Sequence, residues 1–337
     1  MIRLAIRRLL WAFPVLLATM LVTFLMIYAV PRSPWDKDPE ELALMQTIMD
    51  DATRDTLNRR FGLDKPLWRQ FIGYVVGDFD EQGGFSCGLV CGDLGPSYIY
   101  RGQTVRDVLF GAPEGATFWQ SRFGYSIRLG VFALAFAIAF GIPLGVTAAL
   151  KQNTWIDRLL TTLETLCVSV PNFVVGLLFA VAVVTLELKF IKLIPRSWAE
   201  PKPWIVPIVI LSLDVMAASA RLTRTSMLEV MHHNYVRTAR SKGLPERAVI
   251  YRHVLRNALI PVVTLLGPCM AGLIANSFVI EMMFGFPGMG RLYITSVQQG
   301  DYTMVLGVTM IYAILITLAN LSVDLTYGLL DPRIQVT

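Results

Sequence analysis

The sequence predicts an all-α membrane protein with six transmembrane helices. Of its 337 residues, 54% are hydrophobic and only 16% are charged, and the mean hydropathy is +0.54, which lies outside the range of ordinary soluble domains. The apolar residues are gathered in separate blocks of about 20 residues, the length that a helix needs to cross ~30 Å of hydrocarbon. These observations exclude an ordinary soluble enzyme.

Six blocks are long and apolar enough to span the bilayer. They are residues 9–30, 130–150, 165–186, 204–220, 258–280 and 302–323. At ~1.5 Å per residue the longer blocks extend about 31–35 Å as helices, whereas the fourth is the shortest and contains the charged Asp214. None of the blocks alternates polar with apolar residues, so helices are favoured over barrel strands.

The first block is predicted to be an uncleaved membrane anchor. It is longer than the apolar core of a secretory signal peptide, and no A-x-A cleavage site follows it. Residues 1–30 are therefore assigned to an N-terminal segment and the first transmembrane helix.

The short loops predict the orientation, because Lys and Arg close to a span resist translocation. Basic residues precede the first block, and more lie between the second and third blocks and between the fourth and fifth. Both termini and the loop at residues 223–257 are thus predicted to be cytoplasmic.

The long segment at residues 31–125 is predicted to form a small cap on the outer face, with an amphipathic helix from Glu40 to Phe61. Cys87 and Cys91 lie four residues apart among glycines. In an oxidising compartment they form either a small disulfide loop or two unpaired thiols.

The loop between the fourth and fifth blocks is predicted to form two amphipathic helices that meet at a corner. Gly243 is suited to end the first helix, Pro245 to begin the second, and Glu246 to lie at its positive end. A basic amphipathic loop is typical of attachment to anionic lipid headgroups. The corner instead presents an exposed Leu244 between Lys242 and Glu246, which favours insertion into a partner's pocket.

The segments 235–244 and 252–261 resemble the EAA loop of ABC importer permeases, in the variant of the oligopeptide, dipeptide and nickel group, most closely its oligopeptide permease B type. In that family the loop docks onto a separate ATP-hydrolysing subunit. The resemblance implies an ATPase-coupling role for Tyr235, Arg237, Ala239, Lys242, Gly243, Leu244, Pro245 and Glu246. Arg237 and Thr238 replace the Glu and first Ala of the general pattern, a departure familiar in the peptide group.

Further segments match the same group in order and spacing: 61–66, 92–97, 141–146, 169–174 and 281–290. The resemblance implies a type I ABC importer permease fold, with the cap after helix 1 and a transmembrane core at residues 126–337. Residues 31–34 depart from the common pattern, and residues 80–91 look like an insertion.

The resemblance also implies the partners of the chain. They are a second, paralogous permease subunit, two ABC ATPase subunits, an extracytoplasmic substrate-binding protein and the lipid bilayer of a bacterial inner membrane; nucleic acid is not among them. The sequence has no Gly-x-x-x-x-Gly-Lys-Ser/Thr loop. No enzymatic activity and no cofactor are therefore expected in this chain, and ATP and Mg²⁺ are expected on the ATPase subunits.

Polar residues within or beside the spans are candidates for a translocation path. Asp214 is either on the path or a structural partner of a neighbouring helix. Asn276 and Ser277 line a polar route or hydrogen-bond between helices. Glu281 lies at the outer end of the fifth block, on the path or simply at the membrane interface.

The leading hypothesis is a permease subunit that forms half of the pathway of an ATP-driven peptide importer. The alternative is a self-sufficient transporter driven by an ion gradient, which is typically built with paired intramembrane charges and inverted repeats. A membrane scaffold without transport is a third and remoter hypothesis. Within the importer hypothesis, nickel, glutathione or another small solute is an alternative cargo.

Overall fold

A computed structural model describes residues 2–29, 51–79, 84–100, 102–187 and 202–330, and most of these residues are helical. Two compact units are present. The core unit contains the described parts of residues 1–9, 125–290 and 315–337, and the loop unit contains those of residues 10–124 and 291–314. The division into residues 1–30, 31–125 and 126–337 follows chain order and stays a prediction.

The long apolar segments are helices, as predicted. Residues 122–283 form seven helices in the described structure: α5 (Arg122–Leu150), α6 (Trp155–Ser169), α7 (Asn172–Thr185), α8 (Ile205–Met231), α9 (Asn234–Ser241), α10 (Glu246–Ala248) and α11 (Arg256–Met283). A π-helical turn at Val249–Leu255 lies between α10 and α11. α12 (Met289–Gln299) and α13 (Tyr302–Leu330) follow. α1 (Ile2–Ala29) precedes them all.

Five described helices are long and apolar enough to cross a membrane, and a bent helix pair brings the number to six. The pair is α6 and α7, which meet at 98° across a two-residue break. The predicted span at residues 165–186 is thus not one continuous helix but contains the end of α6 and the whole of α7. Pro171 disfavours helical backbone at Val170, which is extended with φ −104° and ψ 119°, and the chain turns there.

The other predicted spans lie almost entirely within longer helices. α5 begins eight residues before the predicted start at residue 130, and α8 continues past the predicted end at residue 220 as far as Met231. Charged residues at a helix end do not break its hydrogen bonding, so apolar runs mark the membrane-spanning part and not the helix boundaries.

α8 is the central helix of the core unit and packs against α6, α7 and α11. Its Leu211 is buried in a cluster with Leu129 of α5 and Ile280 of α11. Trp204, just before α8, stands nearly perpendicular to the ring of Phe286 at 4.7 Å between centroids, and the Arg128 guanidinium lies 4.7 Å from the Trp204 ring. The aromatic and cationic contacts add to the apolar packing at this end of the unit.

α5 and α8 approach closely at two glycines of α5. A Cβ on Gly141 would lie 2.6 Å from the carbonyl oxygen of Met216, and one on Gly145 would lie 2.7 Å from Cβ of Thr223 and 3.1 Å from the carbonyl carbon of Ala220. The four-residue spacing is that of the G-x-x-x-G motif, which allows membrane helices to approach at backbone distance.

The loop unit is built from short elements and from parts of α1, α12 and α13. Its own elements are α2 (Asp51–Arg60), α3 (Leu67–Val75), β1 (Gly77–Phe79), β2 (Phe85–Cys87) and α4 (Val105–Phe110). The two strands pair antiparallel with Asp78 opposite Ser86. Of the predicted helix from Glu40 to Phe61, α2 forms residues 51–60, and residues 40–50 lie outside the described residues.

Hydrogen bonds join the segment before α4 to the start of α13. Ser97 Oγ donates to Asp301 Oδ2 at 2.5 Å, and Thr303 Oγ1 donates to the carbonyl oxygen of Pro96 at 2.5 Å. At the end of α1, Tyr28 donates to Gln70 of α3 at 2.5 Å. These contacts, between residues far apart in the sequence, hold the loop unit together.

Candidate functional site

The loop between α8 and α11 forms a corner at residues 243–245. α9 ends at Ser241, Gly243 has φ 73°, and Pro245 adopts an extended conformation with ψ 140° immediately before α10. Gly tolerates a positive φ without the steric cost that a Cβ brings. The predicted arrangement of two helices around Gly243 is therefore present.

α9 is held in place by its apolar face. Val236 and Ala239 are buried in a cluster with Val249 and Val254 of the π-helical turn and Met227 of α8. This cluster lies in the core unit and joins the corner to α8, the central helix of that unit. The buried cluster therefore packs α9 against α8.

An ion pair closes the corner. Arg240 Nη2 donates to Glu246 Oε1 at 2.7 Å, and Arg240 Nε donates to Oε2 at 3.2 Å. Both side chains are largely exposed, so the pair contributes only about 0–1 kcal/mol to stability. The two-pronged geometry joins the start of α10 to the last turn of α9. Sequence analysis placed Glu246 at a helix end but missed its pairing with Arg240.

The face of the corner away from the core is exposed and basic. Leu244 is 41% exposed and Tyr235 is 42% exposed, and Arg237 and Lys242 are exposed as well. An exposed apolar side chain surrounded by cations is suited to a partner surface that has an apolar pocket with an acidic rim.

Tyr235 also lines a cavity of about 590 Å³ beside the corner, together with residues of the π-helical turn and the start of α11. Its hydroxyl accepts a hydrogen bond from Asn257 Nδ2 at 2.8 Å. Sequence analysis missed Asn257 because nothing in its spacing connects it with a residue 22 positions earlier.

Asp214 lies in the middle of α8 and is half-buried. Asn172, the first residue of α7, donates to its carboxylate at 2.9 Å, and the same amide reaches the carbonyl oxygen of Leu211 at 3.4 Å. The break at Pro171 therefore places Asn172, at the start of α7, against this carboxylate. Asp214 thus has a structural partner on a neighbouring helix, as one of the two interpretations predicted.

Glu281 is completely buried within the core unit. Its position on the path or at the membrane interface stays a prediction. Its carboxylate accepts hydrogen bonds from Ser126 Oγ at 2.7 Å, Ser277 Oγ at 2.9 Å and the Gly290 amide at 2.7 Å. Ser126 in turn accepts from the Met289 amide at 2.8 Å. A buried carboxylate is tolerated only with such partners, and here it connects α5, α11 and the start of α12.

The remaining path candidates differ in environment. Asn276 is exposed on α11, whereas its neighbour Ser277 is buried and donates to Glu281 and to the Ile274 carbonyl oxygen. Ser277 and Glu281 are thus brought together, and Asp214 and Asn276 are not part of that network.

A second group of charges lies where α6 and α8 meet. Arg224 forms a two-pronged ion pair with Asp157, at 2.7 Å from Nε to Oδ1 and 2.9 Å from Nη2 to Oδ2. Glu164 lies about two turns after Asp157 on α6 and is buried. Neither of its carboxylate oxygens has a hydrogen-bond partner in the described part of the chain. Sequence analysis missed Asp157 and Glu164 because the predicted third span began at residue 165.

In the loop unit, Cys87 and Cys91 form a disulfide with their Cα atoms 5.9 Å apart. It closes the turn that follows β2. Cys167 and Cys269 are free thiols in α6 and α11.

Two family models match the chain. Residues 141–336 match the binding-protein-dependent transport system inner membrane component, and residues 1–113 match the N-terminal part of membrane components of the same transport systems. The chain belongs to this family of inner membrane transport components. The first match contains the corner and the bent pair, and of the Glu281 network it contains every member except Ser126.

Curated relatives of the family match over nearly their whole length. The dipeptide transport system permease protein DppB of Bacillus subtilis is 35% identical over 95% of this chain and 94% of its own. The oligopeptide transport system permease proteins OppB of Haemophilus influenzae and Escherichia coli K12 are 34% and 35% identical over 99% of this chain and 100% of their own.

These matches confirm the family and fold that the motifs indicated. The chain is a multi-pass, all-α membrane permease of the type I ABC importer fold and a subunit of an ATP-driven importer, and it works with other ABC transporter components.

Proposed function

We propose that this permease subunit forms half of a translocation pathway for peptides and that a second, paralogous permease subunit forms the other half. Relatives named for dipeptide and oligopeptide transport, about 35% identical along the whole chain, support a peptide cargo. Asp214 and Asn276 are proposed to face the pathway, whereas Ser277 and Glu281 hold the helices beside it.

The corner is proposed to dock onto one of two ABC ATPase subunits. The exposed Leu244 of the corner carries this proposal, because the corner is accessible to a partner while the buried face of the adjacent α9 connects it to α8. The coupling loop comprises residues 223–257, with Tyr235, Arg237, Lys242, Gly243 and Pro245 around Leu244. Ala239 and Glu246 act on it from inside, by packing and by the ion pair with Arg240.

ATP and Mg²⁺ are proposed to bind the partner ATPase subunits, and this chain to hold no cofactor and perform no catalysis, since its sequence lacks a phosphate-binding loop. A substrate-binding protein is proposed to deliver the cargo to the outer face of the bacterial inner membrane. Both termini and the corner are proposed to lie in the cytoplasm.

Reconstitution tests this function. The chain alone in proteoliposomes is expected to hydrolyse no ATP and to transport nothing, whereas the complex with its native partners is expected to take up peptides when ATP is supplied. Uptake of nickel or glutathione, but of no peptide, would show that the cargo is that solute and not a peptide. Uptake by the single chain under an ion gradient would instead support a secondary transporter.

A further inference from the structure

The cavity of about 590 Å³ beside the corner is lined by three basic groups. They are Arg252 and His253 of the π-helical turn and Arg256, the first residue of α11. None of the described residues that line this cavity carries a carboxylate. Both arginines are exposed, and neither forms an ion pair with any described residue. Their positive charges are therefore available to an anionic ligand.

The two arginines lie close together because one helix carries both of them. The helical segment continues without a break from Glu246 to Met283. Side chains four positions apart on a helix share one face, with their Cβ atoms about 5–6 Å apart, and Arg252 and Arg256 have this spacing. Guanidinium groups bind phosphate oxygens through parallel hydrogen bonds. The pair is therefore suited to a single phosphate group.

The same face of the helix continues as an apolar surface. Ile260 and Val263 follow Arg256 by four and seven residues and also line the cavity. They are 44% and 40% exposed, and at ~1.5 Å per residue they lie about 6 and 10 Å further along the helix. Both belong to the apolar block at residues 258–280, which the two arginines precede. The cavity thus has a cationic end beside the membrane-spanning part of α11 and an apolar end within it.

Tyr235 brings α9 to the cationic end of this cavity. Its hydroxyl accepts a hydrogen bond from Asn257, the residue after Arg256, and lies 3.5 Å from the carbonyl oxygen of His253. Tyrosines are enriched where a membrane helix leaves the hydrocarbon, because the ring is apolar and the hydroxyl reaches the headgroups. The position of Tyr235 therefore agrees with a headgroup at the level of the arginines.

We propose that this cavity binds one anionic phospholipid of the surrounding bilayer, with its phosphate on Arg252 and Arg256 and its acyl chains along Ile260 and Val263. A basic pocket beside a membrane helix is typical of headgroup recognition. A soluble phosphate compound would leave the apolar residues without a partner, and an apolar protein segment would leave the arginines without one. A phospholipid satisfies both ends of the cavity with one molecule. The site is distinct from Leu244 of the corner and does not depend on the cargo.

The test measures phospholipid binding to the full-length chain in non-ionic detergent by native mass spectrometry. Phosphatidylglycerol is expected to bind at least about ten-fold more tightly than phosphatidylcholine with the same acyl chains, since only the former has a net negative headgroup. Arg252→Gln combined with Arg256→Gln is expected to weaken binding of phosphatidylglycerol about ten- to thirty-fold, because each arginine near a headgroup contributes a factor of about five. Glycerol 3-phosphate, which lacks the acyl chains, is expected not to displace the lipid at equal concentration.

The matched control removes the same charge elsewhere, by combining Arg158→Gln with Arg247→Gln. Both of these arginines are exposed in the core unit and neither lines the cavity, so this variant is expected to bind phosphatidylglycerol like the unaltered chain. Arg252→Lys combined with Arg256→Lys keeps the charge and is expected to retain most of the preference, which separates loss of the site from loss of folding. Equal effects of the two glutamine variants, equal binding of the two phospholipids, or displacement by glycerol 3-phosphate would each overturn the site.

The same glutamine variants are compared in the complex with its native partners, from which bound phospholipids are released and counted. The complex that carries Arg252→Gln and Arg256→Gln is expected to retain less phosphatidylglycerol than the unaltered complex and than the Arg158→Gln and Arg247→Gln control. Equal amounts in all three complexes would show that a partner subunit, and not a phospholipid, covers the cavity in the assembled importer.

Discussion

Leu244 is the residue on which the proposed coupling depends most directly. Leu244→Asp puts a charge where an apolar side chain is expected to enter a pocket of the ATPase subunit, and desolvation of an unpaired carboxylate is costly. The membrane helices are untouched, because Leu244 contacts solvent rather than the buried cluster of α9. We expect the complex to assemble but to lose at least about ten-fold of its peptide-stimulated ATP hydrolysis and uptake, measured side by side.

Val90→Asp provides the matched control, since Val90 is a similarly exposed apolar residue, 68% exposed, in the loop unit. It is expected to leave ATP hydrolysis and uptake unchanged. Full coupling in Leu244→Asp would show that the corner is not the docking element, and attachment to lipid would then explain its basic surface better.

Glu281 is a buried carboxylate that contributes to stability through the groups that hydrogen-bond to it. Glu281→Ala leaves the hydroxyls of Ser126 and Ser277 and the Gly290 amide without their acceptor, and each unpaired buried group costs about 1–3 kcal/mol. We expect a loss of stability of about 2–4 kcal/mol, measured by thermal unfolding in detergent. Glu229→Ala, at an exposed position of α8, is expected to change stability by no more than about 0.5 kcal/mol.

Single residues were predictable from the sequence where local chemistry decides their conformation. The positive φ of Gly243 follows from the sequence Gly-Leu-Pro, because only the backbone of that segment is involved. The partners of Glu281 were not predictable, since Ser126 is 155 positions away and nothing local connects the two residues.

α5 packs closely on α8 at Gly141 and Gly145. Gly145→Ala adds a methyl group that meets the Thr223 side chain and the backbone of Ala220, so the two helices must separate. We expect a loss of stability of about 1–3 kcal/mol, measured by thermal unfolding in detergent. Gly272→Ala, in α11 with open space around the new Cβ, is expected to be neutral or to stabilise by up to about 1 kcal/mol. Equal effects of the two substitutions would contradict the close approach.

Helices were predictable where a long apolar run in the sequence marks them. The blocks at residues 130–150 and 258–280 lie inside α5 and α11, because uninterrupted apolar runs must be helical in lipid. The sequence could not single out Pro171 as the proline at which the chain bends, since Pro143, Pro261 and Pro268 lie within helices that continue through them. Whether a proline bends a helix depends on neighbours that re-bond the freed carbonyl groups, and these are set by tertiary structure.

The orientation of the whole molecule is tested by labelling single cysteines with a membrane-impermeant thiol reagent in intact cells. In a background that lacks Cys167 and Cys269, Asp64→Cys is expected to be labelled and Leu244→Cys to be protected until the cells are opened, because the arginines flanking the corner retain that loop inside. Labelling of Leu244→Cys but not of Asp64→Cys in intact cells would reverse the orientation.

At the scale of the whole molecule, the motif set in the sequence was sufficient to indicate the family, which the comparisons confirm. Which chain segments come together in each of the two units was not predictable. The loop unit depends on contacts such as Ser97 with Asp301, 204 positions apart, and the hydrophobic pattern carries no information about such pairings.

The break at Pro171 has a consequence for biosynthesis. At ~1.5 Å per residue, α6 and α7 are about 22 and 21 Å long, so neither alone crosses ~30 Å of hydrocarbon. The backbone groups freed at their junction need a protein partner before they can remain at membrane depth, and α8 is the helix that packs against both arms. We therefore expect residues 155–185 to enter the bilayer only once α8 has been synthesised, so that α6, α7 and α8 insert together.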